Sequence, residues 1–124
     1  MNEINTTNAA DVLVRLRDQL RQFAAARDWD QFHSPKNLAI ALSVEVGELL
    51  EHFQWVSEVE STTLSEASRA KVREELADVL LYLVRLADKL DVNLGCAALD
   101  KLELNGAKYP VDKSRGNSKK YTEL

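Results

Sequence analysis

Apolar residues recur at spacings of three and four along most of the chain, and strand-like alternation persists nowhere. Leu13, Leu16, Leu20 and Phe23 form one helix face, with Asn8 as cap ahead of Ala9 and Ala10, which predicts a first helix over residues 9–27. Ser34-Pro35 is a start signal: Ser caps, and Pro at the first helical position forfeits no hydrogen bond it would otherwise make. A second helix follows over residues 35–54. Its opening, Leu38-Ala39-Ile40-Ala41-Leu42, is apolar all round, which predicts burial on several sides, a partner subunit included. Residues 57–63 are polar and read as a loop, and Thr63-Leu64-Ser65-Glu66 fits a capping box. A third helix runs from there to residue 90, with Val72, Leu76, Val79, Leu83, Leu86 and Leu90 as a bundle seam. Asn93 caps a fourth, which carries Ala97, Ala98, Leu99 and Leu102 inward. The expected fold is all-α, a four-helix bundle subunit over residues 1–110, followed by a basic C-terminal tail over 111–124.

Composition agrees with one globular domain: the chain has 124 residues, 45% hydrophobic and 29% charged. The longest uninterrupted apolar run, Val79 to Val84, is too short to span a bilayer, and nothing near Met1 resembles a signal peptide, so no membrane role is expected. The single Cys96 excludes an internal disulfide and fits a reducing cytoplasm. The net charge of −4 argues against a binder of nucleic-acid polymers. That charge is split: residues 101–124 hold six basic and three acidic side chains, +3, which leaves −7 for the rest.

Part of that acidic excess stands in an unusual place. At 100° per residue, Glu45 shares a narrow stripe with Leu38, Leu42 and Leu49, and Glu48 is its neighbour three residues on. Glu75 and Asp78 are likewise three apart beside the apolar seam of the third helix. Buried carboxylates are costly unless compensated, by Lys or Arg, by protons, or by a divalent cation. Carboxylate oxygens suit a hard ion, Mg²⁺ first, with Mn²⁺ as substitute. The lack of a second helix-face His or a Cys pair argues against zinc. The bland alternative is a solvated acidic face, and helix geometry alone leaves the two readings level.

The run Glu45-Val46-Gly47-Glu48-Leu49 followed by Glu75-Leu76-Ala77-Asp78-Val79 resembles the signature of the MazG-like all-α nucleoside triphosphate pyrophosphohydrolases. The segment from Arg27 through Trp29, His33 and Pro35 to Leu38 is similar to the dCTP pyrophosphatase branch, as are Phe53-Gln54-Trp55, Leu81-Tyr82-Leu83, Lys101 with Asn105, Lys108-Tyr109-Pro110-Val111 and the tail from Ser114 to Tyr121. The resemblance covers about residues 23–124. It implies Mg²⁺-dependent hydrolysis of a nucleoside triphosphate, dCTP or a modified dCTP, to the monophosphate and pyrophosphate, as nucleotide-pool sanitation in a homodimer or homotetramer. It implies Glu45, Glu48, Glu75 and Asp78 as metal ligands, with Glu48 the choice for the group that takes the water's proton.

Trp29, Trp55 and Tyr82 are candidates to pack on the base; the alternative is core packing. Asn105 would read base or sugar. His33 and Lys36 stand near a helix start that favours anions, and His33 could instead cap and pack against Leu38. Lys101, Lys108, Arg115, Lys119 and Lys120 are further phosphate candidates, with Tyr109 beside them, on a tail that the resemblance folds over the site; the alternative is a solvated terminus. Lys36 and Lys108 stand where relatives often carry Arg, and Gly106, in place of a bulkier polar residue, is expected to end the fourth helix early. The rivals are the same chemistry on dUTP, dTTP or a damaged purine triphosphate, and, in another class, a non-catalytic helical assembly module.

Overall fold

A computed structural model describes residues 3–124, with side chains from residue 12 onward. Among the described residues there is no strand and no helix long and apolar enough to cross a membrane. The helices are α1 (Glu3–Ala26), α2 (Pro35–Glu51), a short α3 (Glu58–Ser61), α4 (Glu66–Lys89), α5 (Leu94–Lys108) and a short α6 (Val111–Ser114), with single 3₁₀ turns at Asp30–Phe32 and Tyr121–Glu123. The four long helices are those the periodicity predicts.

Several boundaries differ from the expectation. The backbone is helical from Glu3, so Asn8 stands inside α1; its side chain lies outside the described residues. The segment expected as a loop contains α3, capped by Ser57, which accepts from Glu60 N at 3.1 Å. The cap of α4 is Ser65, accepting from Ser68 N, not Thr63. Helix α2 ends at Glu51, three residues early, and α5 runs through Gly106 to Lys108. Ser34 and Asn93 cap α2 and α5 as expected, accepting from Asn37 N and Cys96 N.

Two aspartates end long helices. Asp28 and Asp91 adopt left-handed backbone conformations, φ 53° and 55°. The next residue in each case, Trp29 or Val92, donates its N–H back to Ala24 O or Ala87 O at 2.9 and 2.8 Å. This is a Schellman stop with Asp in the position Gly usually takes, which a short polar side chain tolerates.

The chain divides into two compact units, residues 1–92 and 93–124. In the first, α4 is central and packs on both α1 and α2. Among the described residues the enclosed ones are Ala24 of α1, Leu38 of α2, and Val84, Arg85 and Ala87 of α4. A forked ion pair, Arg21 Nε to Asp88 Oδ2 at 2.8 Å and Nη2 to Oδ1 at 2.5 Å, ties α1 to α4. In the second unit the tail is fastened to the end of α5: Tyr121 meets Tyr109 edge to face at 6.1 Å, and Lys108 Nζ lies 4.8 Å from the Tyr121 ring centre.

Several residues of the predicted apolar faces are exposed among the described residues. Leu76 and Leu90 of the predicted seam are each 54% exposed, Ile40 of the all-apolar opening of α2 is 54% exposed, and Leu99 and Leu102, expected to point inward, are exposed as well. Leu76 and Leu80 stand exposed one turn apart on α4, and exposed apolar surface of this kind marks an interaction face.

Candidate metal centre

Glu45, Glu48 and Glu75 converge. One carboxylate oxygen from each lies within 4.8 Å of the others. Helix periodicity explains why: Glu45 shares the stripe of Leu38, the most deeply buried large side chain, and that stripe faces α4. Glu48 follows at one turn and is exposed, whereas Glu45 and Glu75 are half-buried. Glu45 Oε2 and Glu75 Oε2 are enclosed and lack any hydrogen-bond partner. Among the described residues no Lys or Arg pairs with any of the three; the one nearby base is His52, whose Nε2 is 4.0 Å from Glu75 Oε1.

The electrostatic consequence is large. Burial, then the neighbouring Glu48 and Asp78 charges, push the Glu45 carboxyl up to about 7. Burial and Glu48 also raise Glu75. Orphaned, mutually repelling oxygens on two facing helices are a donor set suited to a hard divalent cation, so the cluster is a possible metal-binding site.

Asp78 is exposed and stands outside this convergence, although its charge helps raise both Glu45 and Glu75. Trp29 is 41% exposed and packs edge-on against Phe23 at 5.6 Å between ring centres. Trp55 is 87% exposed, and Tyr82 is half-buried on α4. His33 is half-buried and Ser34, not His33, makes the cap; the His33 Nδ1 accepts from Arg85 Nε at 3.2 Å. Lys36 is exposed in the first turn of α2. Lys101, Asn105, Lys108, Tyr109, Arg115, Lys119 and Lys120 all belong to the second unit, where Lys108 is engaged by Tyr121.

Two residues escaped the sequence reading. His52 lies four residues beyond Glu48, the spacing that brings helical neighbours together, and faces Glu75. Arg85 is a charge inside the apolar run around Val84 and Leu86, and it is the one charged residue buried among those described.

Comparisons with known proteins give the family. Residues 40–124 match the MazG-like family, a span that includes all four carboxylates. The chain is 50% identical over 105 residues to dCTP pyrophosphatase 1 of Rattus norvegicus and, equally, to that of Homo sapiens, covering 83% of this chain. It spans 62% of the length of those curated relatives. A crystal structure of a pyrophosphatase from Archaeoglobus fulgidus aligns with a TM-score of 0.73 at 46% identity, covering 77% of this chain and 90% of that one. The all-α fold, the paired carboxylates and these matches agree: the chain belongs to the MazG-like family.

Proposed function

We propose that the protein hydrolyses a nucleoside triphosphate, dCTP by preference, to the monophosphate and pyrophosphate, and so clears the cytoplasmic nucleotide pool. The observation that carries this reading is the convergence of Glu45, Glu48 and Glu75 with two enclosed, partnerless oxygens, in a chain 50% identical to relatives named dCTP pyrophosphatase.

Glu45, Glu48 and Glu75, with Asp78 completing the set, would hold Mg²⁺, or Mn²⁺ in its place. Bound there, the ion would neutralise phosphate charge and make water a better nucleophile near neutral pH. Of the three converging carboxylates Glu48 is the exposed one, so its free oxygen is the one open there to take a proton from the attacking water. Trp29 supplies an aromatic face for the base, with Trp55 and Tyr82 as further candidates, and Asn105 offers both donor and acceptor. Lys36 of the first unit and Lys101, Lys108, Arg115, Lys119 and Lys120 of the second are the candidates for phosphate oxygens. His33, whose Nδ1 is already engaged by Arg85, is better suited to supporting Trp29 than to binding phosphate.

The exposed apolar face of α4 is assigned to a second copy of this chain. Val72, Leu76 and Leu80 recur at four-residue spacing, and beside them a concavity of about 580 Å³ is lined by Leu64, Val72 and Leu76 with Arg69 and Arg73. A homodimer, or a homotetramer built from it, would cover this surface.

A panel of dCTP, dUTP, dTTP, dATP and dGTP, read by pyrophosphate release with and without Mg²⁺, tests the substrate. Turnover is expected for dCTP at kcat/KM about tenfold or more above the others, a ratio within reach of a site that hydrogen-bonds the base. Equal rates across the panel would remove the cytosine assignment. No release with either Mg²⁺ or Mn²⁺ would leave an assembly module as the better account.

A further inference from the structure

Arg85 is 5% exposed, and a guanidinium removed from water is stable only when its donors are satisfied. Here two nitrogens donate hydrogen bonds and the third faces a carboxylate. One terminal nitrogen donates to the Asp30 carboxylate, Nε donates to His33 Nδ1 at 3.2 Å, and the other terminal nitrogen lies 3.6 Å from Asp88 Oδ2. Lys89 adds a second cation on Asp30, 3.1 Å away. Lys89 and Arg85 together hold the Asp30 carboxyl below its ordinary range, and burial, then the Arg85 charge, lowers His33, the direction that suits an Nδ1 accepting from Arg85.

Two of those partners flank Trp29. Asp30 is the next residue, and the His33 ring centre lies 6.2 Å from that of the indole. Phe23 closes another side at 5.6 Å, and the Trp29 backbone N–H donates to Ala24 O. Around them the turn is bonded to itself: Gln31 Nε2 donates to Asp28 O, and Asn37 Nδ2 donates to Phe32 O, each at 3.0 Å. What fastens this self-contained turn to α4 is Arg85 with Lys89. The same helix presents Glu75, ten residues before Arg85.

We propose that Arg85 is a positioning residue for nucleotide recognition: from α4 it fixes the Trp29 turn against the helix that carries Glu75 and Asp78. The inference rests on the reading of Trp29 as a platform for the base. Lysine cannot replace the fork, since a single ammonium cannot reach Asp30 and His33 in the same planar geometry, and Lys89 already serves Asp30. Loosening this anchor shifts the indole and leaves the carboxylate cluster in place.

The test compares Arg85→Lys, Asp30→Asn and Trp29→Ala with the wild type. Affinity for a non-hydrolysable α,β-methylene dCTP, Mg²⁺ affinity by calorimetry, KM and kcat for dCTP, and Tm are measured for each. Arg85→Lys is expected to raise Kd and KM about tenfold, the scale of a misplaced binding group, with kcat much less affected and Mg²⁺ affinity unchanged. Asp30→Asn, whose site is half-exposed, is expected to move the same quantities in the same direction by less, and it decides the matter if Arg85→Lys does not fold. Weakened binding in Trp29→Ala with wild-type Kd in both other variants would overturn the role of Arg85 alone. Wild-type Kd in Trp29→Ala would overturn the platform reading and the proposal with it. Parallel loss of nucleotide affinity, Mg²⁺ affinity and Tm would show a merely structural role and overturn it too.

Discussion

Glu45→Gln is expected to abolish Mg²⁺-dependent turnover, by about 10²–10⁴-fold, while the protein stays folded and its metal-free form becomes more stable. Glutamine keeps the shape of the side chain and removes the charge. Glu45 is the natural choice because its Oε2 is enclosed and partnerless, so a neutral amide there relieves burial cost and repulsion at once. The pH dependence follows with a definite sign. The folded-state Glu45 value, about 7, lies above the ordinary carboxylate value, so the folded chain holds a proton that the unfolded chain releases. The stability from that proton is fully present below the ordinary carboxylate range and is lost as pH rises through about 7. The metal-free wild type should therefore melt at higher temperature at pH 5 than at pH 8. Glu45→Gln should flatten the slope without erasing it, because Glu75 is raised as well. Calorimetry of Mg²⁺ binding, thermal melts across pH and pyrophosphate release check the three parts. Turnover within a few fold of wild type would remove Glu45 from the metal site.

Leu76→Glu is expected to convert an oligomer into a monomer with a lower Tm and little activity. Leu76 lies between Val72 and Leu80 on α4, is 54% exposed, and borders the concavity beside α3. Burying its side chain against a second copy would contribute about 1.5–3 kcal/mol, and a buried unpaired Glu in its place would cost more than that gain. Size-exclusion with light scattering should give the wild type at twice the chain mass or more. A wild-type monomer with full activity would refute the assignment of this face.

The sequence was most informative where the physics is local. Ser34-Pro35 and Asn93 announce helix starts because capping is decided by one side chain and the next three N–H groups. Glu45, Glu48 and Glu75 were legible because a helix wheel places Glu45 among Leu38, Leu42 and Leu49, whatever the rest of the fold does. The expectation was less accurate where neighbouring signals compete. Thr63 and Ser65 are both good caps, and it is Ser65 that accepts from Ser68 N. Gly106 has left-handed freedom it does not use, since α5 continues past it. The Arg85 anchor could not be read at all: its partners Asp30 and His33 stand 55 and 52 residues away, and no periodicity connects them. The seam of α4 is apolar as the spacing predicts, while the exposure of Leu76 and Leu90 on it depends on surface that a helix wheel does not contain.

The most direct test of the central claim is ³¹P NMR of dCTP incubated with the wild-type protein, with Mg²⁺ and again with the metal chelated. The account predicts dCMP and pyrophosphate in equal amounts with Mg²⁺ and neither when the metal is removed. Formation of dCDP and orthophosphate, or product that persists in chelator, would contradict it.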